Sequence, residues 1–215
     1  MSAVPETYVL YCKELPARRA AAEARMAAAG LRPTWWRGVH AKTWGLATTK
    51  TYDRDEVGHV MPPGYAGNLL GHYALWQHLY LTGADEALVF EDDATVGPDF
   101  LDRYAAARKT LPRDWQFAFL GVAEDPAAAA AKVYERIPGG WARLVEPYGT
   151  HAYLVRGSAL PVLLVRMAEL RAHADVQLWE NVLRGGHVCW YARVPSLVGQ
   201  SSQGVGDGLW ETTLR

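Results

Sequence analysis

The stretch Glu86-Ala87-Leu88-Val89-Phe90-Glu91-Asp92-Asp93 decides how this 215-residue chain is read. It joins an apolar run of strand length to three consecutive acids. A strand apolar at Leu88, Val89 and Phe90 has no polar face, which is the pattern of a strand buried on both sides in a layered α/β sheet. Open sheets of that kind bind ligands beyond the carboxyl ends of their strands, where these acids fall. Three adjacent carboxylates repel one another and raise one another's pKa unless a cation neutralises them. In extended chain Glu91 and Asp93 share one face and Asp92 points to the other. Such a pair of oxygen donors suits Mg²⁺ or Mn²⁺, which takes one or two protein carboxylates and completes its shell with water and phosphate oxygens. The competing reading is a polar turn, with Asp93 capping the next element of the chain.

Outward from this stretch, short apolar runs alternate with helical patterns, the signature of an α/β domain with a central sheet flanked by helices. Strands are predicted over 7–12, 33–39, 86–90, 117–121, 151–155 and 187–192. Helices are predicted over 15–29, 65–81, 98–110, 158–172 and 175–183. Pro16 is acceptable in a first helical turn, and Gly30 and Gly83 are stops. Leu69, Tyr73, Trp76 and Tyr80 recur at three- and four-residue intervals, as one face of a helix requires. Residues 40–63 read as a long loop, and 123–147 as irregular with a hairpin across Pro138-Gly139-Gly140. The expectation is one domain over 1–215, with its core at about 7–195 and a flexible, Gly- and Ser-rich tail over 196–215.

Composition narrows the function. Half the residues are apolar, 21% are charged and the formal net charge is −1. A globally disordered chain is thereby excluded, and a broad nucleic-acid binder, which advertises itself by a basic excess, is disfavoured. A small basic groove would escape this test. There is no apolar run long enough to span a bilayer, and the first residues show neither a basic nor an apolar leader segment, so a cytoplasmic location is expected. Cys12 and Cys189 are too few for a disulfide framework and are expected to pack as small buried hydrophobes. Most of the nine tryptophans are expected in the core.

Five blocks, in order, resemble glycosyltransferase family 25, which includes bacterial lipooligosaccharide and collagen galactosyltransferases. Ala87-Leu88-Val89-Phe90 with Glu91-Asp92-Asp93 looks like its strand and acidic triplet. Tyr8-Val9-Leu10 with Arg18-Arg19 is similar to its first strand and arginine pair, and Gly71-His72-Tyr73-Ala74-Leu75-Trp76 to its Ser-His-bearing helix. Gly149-Thr150-His151-Ala152-Tyr153-Leu154 resembles its Gly-Thr-His-Ala-Tyr strand, and Asp175 with Leu178-Trp179 its Asp-bearing segment. The likeness runs over residues 8–195.

The resemblance implies a GT-A-like fold with a mixed, mostly parallel central sheet. It implies a UDP-sugar donor, a divalent cation (Mn²⁺ or Mg²⁺) on Asp93 and Glu91, and a hexose, galactose ahead of glucose. Transfer would invert the anomeric centre and run to a hydroxyl of a saccharide or glycoconjugate. It groups Tyr11, Arg18, Arg19, His72, Glu91, Asp92, Thr150 and His151 around the donor and makes Asp175 the general base, with Glu180 the competitor. This chain departs from the pattern at Gly71, where many members have Ser. It also has no His after His187, where many GT-A enzymes place a late metal ligand; water, Gln203 or Asp207 is the expected substitute.

Several of these residues have plainer readings. Arg18 and Arg19 fall in a first helical turn, where cations oppose the helix dipole by ~0.3–1 kcal/mol; a bound diphosphate would explain that misplacement for at least one of them, and the plainer reading is two solvated arginines on a surface helix. His72 is either a hydrogen-bonded helix histidine or a donor-site residue, and His151 a satisfied core histidine or an acceptor-site one. His78 is expected to be structural. Asp175 would serve as an N-cap, worth ~1 kcal/mol, as readily as a base. Trp179 could floor a sugar site or simply pack. Two other functions remain open at this stage: the same fold acting on a nucleic-acid base or protein hydroxyl, and a non-catalytic module that binds nucleotide or glycan.

Overall fold

The computed structural model describes residues 4–40, 43, 49–50, 60–61, 63–123 and 126–201. The strand that carries the acids is β5 (Glu86–Glu91), and it lies inside the sheet, between β1 (Glu6–Tyr11) and β10 (Ala152–Arg156). The full order is β2-β1-β5-β10-β7-β11-β9-β8, with β2 at Thr34–Arg37, β7 at Phe117–Phe119, β8 at Val133–Ile137, β9 at Trp141–Leu144 and β11 at Trp190–Arg193. β1 pairs in parallel with β2 and β5, and β7 with β11, while the pairings of β10 and β9 with their neighbours are antiparallel. Strands β2, β1, β5, β7, β11 and β8 therefore run one way and only β10 and β9 the other, the mixed, mostly parallel sheet of the GT-A fold.

Both faces of the sheet are covered, which is why its strands are apolar on both. Leu10, Val89, Phe119 and Tyr153 pack on one side with α2 (Pro63–Thr82), α5 (Leu160–Arg166) and α6 (Ala174–Leu178). Val9, Leu88, Phe90 and Leu154 pack on the other, with Met26 of α1 (Pro16–Ala28) and Phe100 and Tyr104 of α3 (Phe100–Thr110). The alternation along each strand sends successive residues to opposite layers.

β8 and β9 form the expected hairpin; Gly139 and Gly140 both adopt φ +81, the left-handed conformation that a tight hairpin turn requires. A six-residue helix, α4 (Pro126–Ala131), precedes it. Within the stretch expected to be a loop, β3 (Thr49–Lys50) pairs with β4 (Val60–Met61), and the rest of 41–62 save residue 43 lies outside the described residues.

Three expectations need correction. The helix expected over 158–172 is a short 3₁₀ turn (Gly157–Ala159) and α5, ending at Arg166. Beyond it, buried Gln177 accepts the backbone N–H groups of Arg171 and Ala172 and donates to the carbonyl of Glu169, so a side chain takes over the bonds a helix would have used. α6 gives way to a π turn at Trp179–Leu183 instead of running through. The tail also starts later than expected. Leu197 and Val198 are buried, and β12 (Gly199–Gln200) pairs with β6 (Ala94–Thr95), a two-residue strand just past the acids. Residues 202–215, with Gln203 and Asp207, lie outside the described residues.

Neither cysteine is fully buried: Cys12 donates to Glu14, and Cys189 to Asp114. Trp76, Trp115, Trp141, Trp179 and Trp190 are core residues, as expected. No helix among the described residues is long and apolar enough to cross a membrane.

Candidate active site

β1 leads through α1 to β2 on one side of itself, and the chain then crosses by α2 to β5 on the other side. The order reverses between β1 and β5, and a crevice opens at such a reversal at the carboxyl ends of the strands. An open cleft lies there. Leu10, Tyr11 and Cys12 line it from the end of β1, Gly38, Val39 and His40 from beyond β2, and Glu91 and Asp92 from β5. Its α2 wall consists of Gly64, Gly67, Asn68 and Gly71, so one helix face leaves open the space side chains would fill and presents one carboxamide. Gly71, standing where the family commonly has Ser, is held close. A Cβ there would meet Leu10 Cδ2 at 3.3 Å and Gly38 Cα at 3.4 Å. The glycine spacing 64, 67, 71 was the signal for this wall, and the sequence reading passed over it.

The three acids do not alternate. β5 stops at Glu91 and the chain turns at Asp92 and Asp93, so Asp92 does not point away from its neighbours. Instead it lines the cleft beside Glu91 and takes an ion pair from Arg18, whose same nitrogen lies 3.5 Å from Asp93 Oδ2. The turn is held from below by Arg25, two helical turns after Arg18, which donates to the backbone carbonyls of Asp92 (2.6 Å) and Ala94 (3.0 Å). Arg25 was missed from sequence, although its spacing of seven from Arg18 puts both on one face of α1.

Glu91 ends a buried chain of hydrogen bonds. Trp76 Nε1–H donates to the Tyr153 hydroxyl at 3.0 Å, and that oxygen lies 2.9 Å from His72 Nδ1. An ionised carboxylate only accepts, so His72 Nε2–H donates to Glu91 Oε1 at 3.0 Å, and in the neutral ring Nδ1 is left to accept the Tyr153 proton. The Thr150 hydroxyl donates to the same oxygen at 2.6 Å. Burial opposes the charge on Glu91, but the His72 and Thr150 contacts outweigh it and hold the carboxyl down at about 2.

Asp93 behaves oppositely. Burial and the charge of Glu91 push it up to about 7, against the pull of Arg18 and Gln200. Gln200 Nε2–H donates to its Oδ2 at 3.1 Å, and Ser201 N–H to its backbone carbonyl at 2.9 Å. Its other oxygen, Oδ1, is buried with no hydrogen-bond partner. A buried carboxylate oxygen without a donor is costly, and a cation is the partner that would remove the cost. Among the described residues no three His, Cys, Asp or Glu side chains gather into a cage, and Mg²⁺ or Mn²⁺ does not demand one. The residues fit such an ion, with Asp93 Oδ1 as the oxygen on offer.

The remaining residues divide. Arg19 lies over the rings of Tyr11 (4.4 Å) and Trp35 (5.3 Å) and pairs with Glu23 at 2.9 Å, so of the two arginines Arg18 is the one that borders the cleft. His151 is buried, its Nε2 3.4 Å from the Val198 carbonyl and its Nδ1 unpartnered, and burial lowers its pKa. Asp175 is not an N-cap: α6 begins at Ala174, and the Asp175 carboxylate accepts the N–H of Gly149 (2.9 Å) and of Val176 (2.8 Å). It thereby fixes the Gly149-Thr150-His151 turn, where Gly149 has φ +100 and a Cβ would meet the Ala123 backbone at 2.8 Å. Glu180, in the π turn, pairs with Arg184 at 3.0 Å. Trp179 packs edge-on against Trp190 in the core, and His78 lies tilted against Trp36 with ring centroids 4.8 Å apart.

The profile of glycosyltransferase family 25 (LPS biosynthesis protein) matches residues 5–133. No match is found among curated proteins. Among solved structures, a glycosyltransferase involved in the glycosylation of the major capsid of PBCV-1 superposes with a TM-score of 0.53 at 12% identity, over 97% of this chain and 100% of that one. A looser likeness is to mouse xyloside xylosyltransferase 1, with a TM-score of 0.46 and 7% identity over 88% of this chain and 85% of the other. The matched span runs from the first strand past the acidic turn, the part of the chain that builds the cleft, and the chain accordingly belongs to glycosyltransferase family 25 and is a glycosyltransferase.

Proposed function

We propose that the protein is a cation-dependent, inverting hexosyltransferase that moves galactose or glucose from a UDP-sugar to a hydroxyl of a saccharide or glycoconjugate. The observation that carries this reading is the buried, unpartnered oxygen of Asp93, the residue that follows the cleft-lining Glu91 and Asp92 in the chain. The nucleoside enters the cleft against Tyr11 and the glycine-lined wall of α2, where Asn68 offers the one carboxamide. Arg18 meets the diphosphate, exchanging part of its contact with Asp92 for phosphate oxygens, as a guanidinium can. Bound Mn²⁺ or Mg²⁺ would supply charge stabilisation for the departing diphosphate. Glu91, kept ionised by His72 and Thr150, adds negative charge on the cation side without competing for a proton. Asp175 serves as the base: each of its oxygens accepts one backbone N–H and keeps a second lone pair for an acceptor hydroxyl. Glu180, committed to Arg184, is the weaker candidate. The LPS biosynthesis description of the family favours an envelope saccharide as acceptor.

Thermal shift with UDP and UDP-hexoses, with and without Mn²⁺, tests the donor site. A nucleotide present at about 100 times its Kd adds roughly 2.7 kcal/mol, a rise of about 5–10 °C for a chain of this size, and the rise is expected only with Mn²⁺. Asp175→Asn should keep that rise and lose transfer. A shift of equal size without cation, or none with any nucleotide, contradicts the donor site; full turnover by Asp175→Asn removes the base from that residue.

A further inference from the structure

We propose that Gln200, in the C-terminal strand β12, is a positioning residue of the cation site: its carboxamide pins one oxygen of Asp93 and so aims the other at the ion. The inference rests on the cation-dependent reading above and extends it to a segment that the sequence placed in a flexible tail. Three contacts tie β12 to the acidic turn. Gly199 and Gln200 pair with Thr95 and Ala94 of β6, which begins directly after Asp93. Ser201 N–H donates to the Asp93 carbonyl at 2.9 Å, fixing the backbone. Gln200 Nε2–H donates to Asp93 Oδ2 at 3.1 Å, fixing the side chain. A carboxylate that rotates freely offers either oxygen, or neither, in a ligating geometry. One held at Oδ2 has a single oxygen left, and here that oxygen, Oδ1, is buried and has no partner. Gln200 itself is solvent-exposed and outside both apolar layers, so its role is in holding Asp93 and not in core packing.

Isothermal titration of Mn²⁺ into the 215-residue chain with UDP present, on wild type, Gln200→Ala and Gln200→Glu, tests this. Groups that orient a metal ligand typically cost about 10–100-fold in affinity when removed, so Gln200→Ala is expected to weaken Mn²⁺ binding about ten-fold or more. Its cation-free melting temperature should stay within a few degrees of wild type, as expected for an exposed side chain. Gln200→Glu has the same shape but cannot donate to a carboxylate and repels it, so it should weaken binding at least as much. Wild-type affinity in Gln200→Ala overturns the proposal, and so does tighter binding by Gln200→Glu, which would make the position 200 oxygen a ligand and not an anchor for Asp93. Absence of Mn²⁺ binding by wild type is a separate result: it overturns the cation-dependent reading and the role of Gln200 with it.

Discussion

Asp93→Asn is expected to lower sugar transfer by at least 10²–10³-fold, on the order of what removal of a group that stabilises transition-state charge costs, while leaving the fold intact or more stable at alkaline pH. The stability half follows from linkage. Asp93 holds its proton more tightly in the folded protein, at about 7, than in the unfolded chain, at ~3.9. The folded state therefore gains from this proton below about pH 4, and the gain is lost as pH climbs through 7. Glu91, held at about 2, has the opposite sign: its contribution is present above about pH 4 and disappears as pH falls toward 2. Between pH 5 and 8 only Asp93 of this pair changes charge. Cation-free wild type should lose stability across that window, most steeply below about pH 7, where the unfolded chain has given up this proton and the folded protein still holds it. Asn carries no charge to bury, so this loss should be absent from Asp93→Asn, which keeps the rise with pH that His151, its pKa lowered by burial, contributes. An equal pH dependence of the melting temperature in wild type and variant would show that Asp93 does not carry the buried charge.

His72→Ala has the second large expected effect, on stability. The imidazole is fully buried and touches Tyr153 and Glu91 at once. Its removal leaves the Tyr153 hydroxyl without its acceptor and Glu91 with only the Thr150 bond. Breaking a buried charge-bearing pair by deleting one partner costs about 3–5 kcal/mol, which for a chain of this length lowers Tm by roughly 6–20 °C. The loss should fall sharply at low pH, where Glu91 is protonated in both states and the missing bond matters less. A Tm change under about 2 °C at neutral pH would mean that the chain from Trp76 to Glu91 stores little energy.

What could be read from the sequence was whatever depends on a residue and its near neighbours. The two-sided burial of β5 followed from Leu88-Val89-Phe90, and the acids at its end followed from the strand. α1 and α2 announced themselves by Pro16, Gly30 and the spacing of Leu69, Tyr73 and Trp76. The hairpin at Gly139-Gly140 was legible because few other residues tolerate that turn. What stayed hidden depends on contacts across the fold. Gln200 lies 107 positions from the carboxylate it binds, and Tyr153 81 positions from His72. No local pattern reports either pairing. The alternation rule failed at Asp92 for the same reason: Arg18 and Arg25, far away in sequence, hold a turn where extended geometry was assumed. Asp175 looked like a cap because caps are local, whereas its carboxylate reaches Gly149, 26 residues back.

Diffraction from crystals grown with Mn²⁺ and UDP, measured at a wavelength where manganese scatters anomalously, is the most direct trial of the cation site. One anomalous peak bonded to Asp93 Oδ1 and to the diphosphate, with Arg18 drawn toward the phosphates, is the predicted result. Nucleotide in the cleft with no peak beside Asp93, and Arg18 still clasping Asp92, would contradict it.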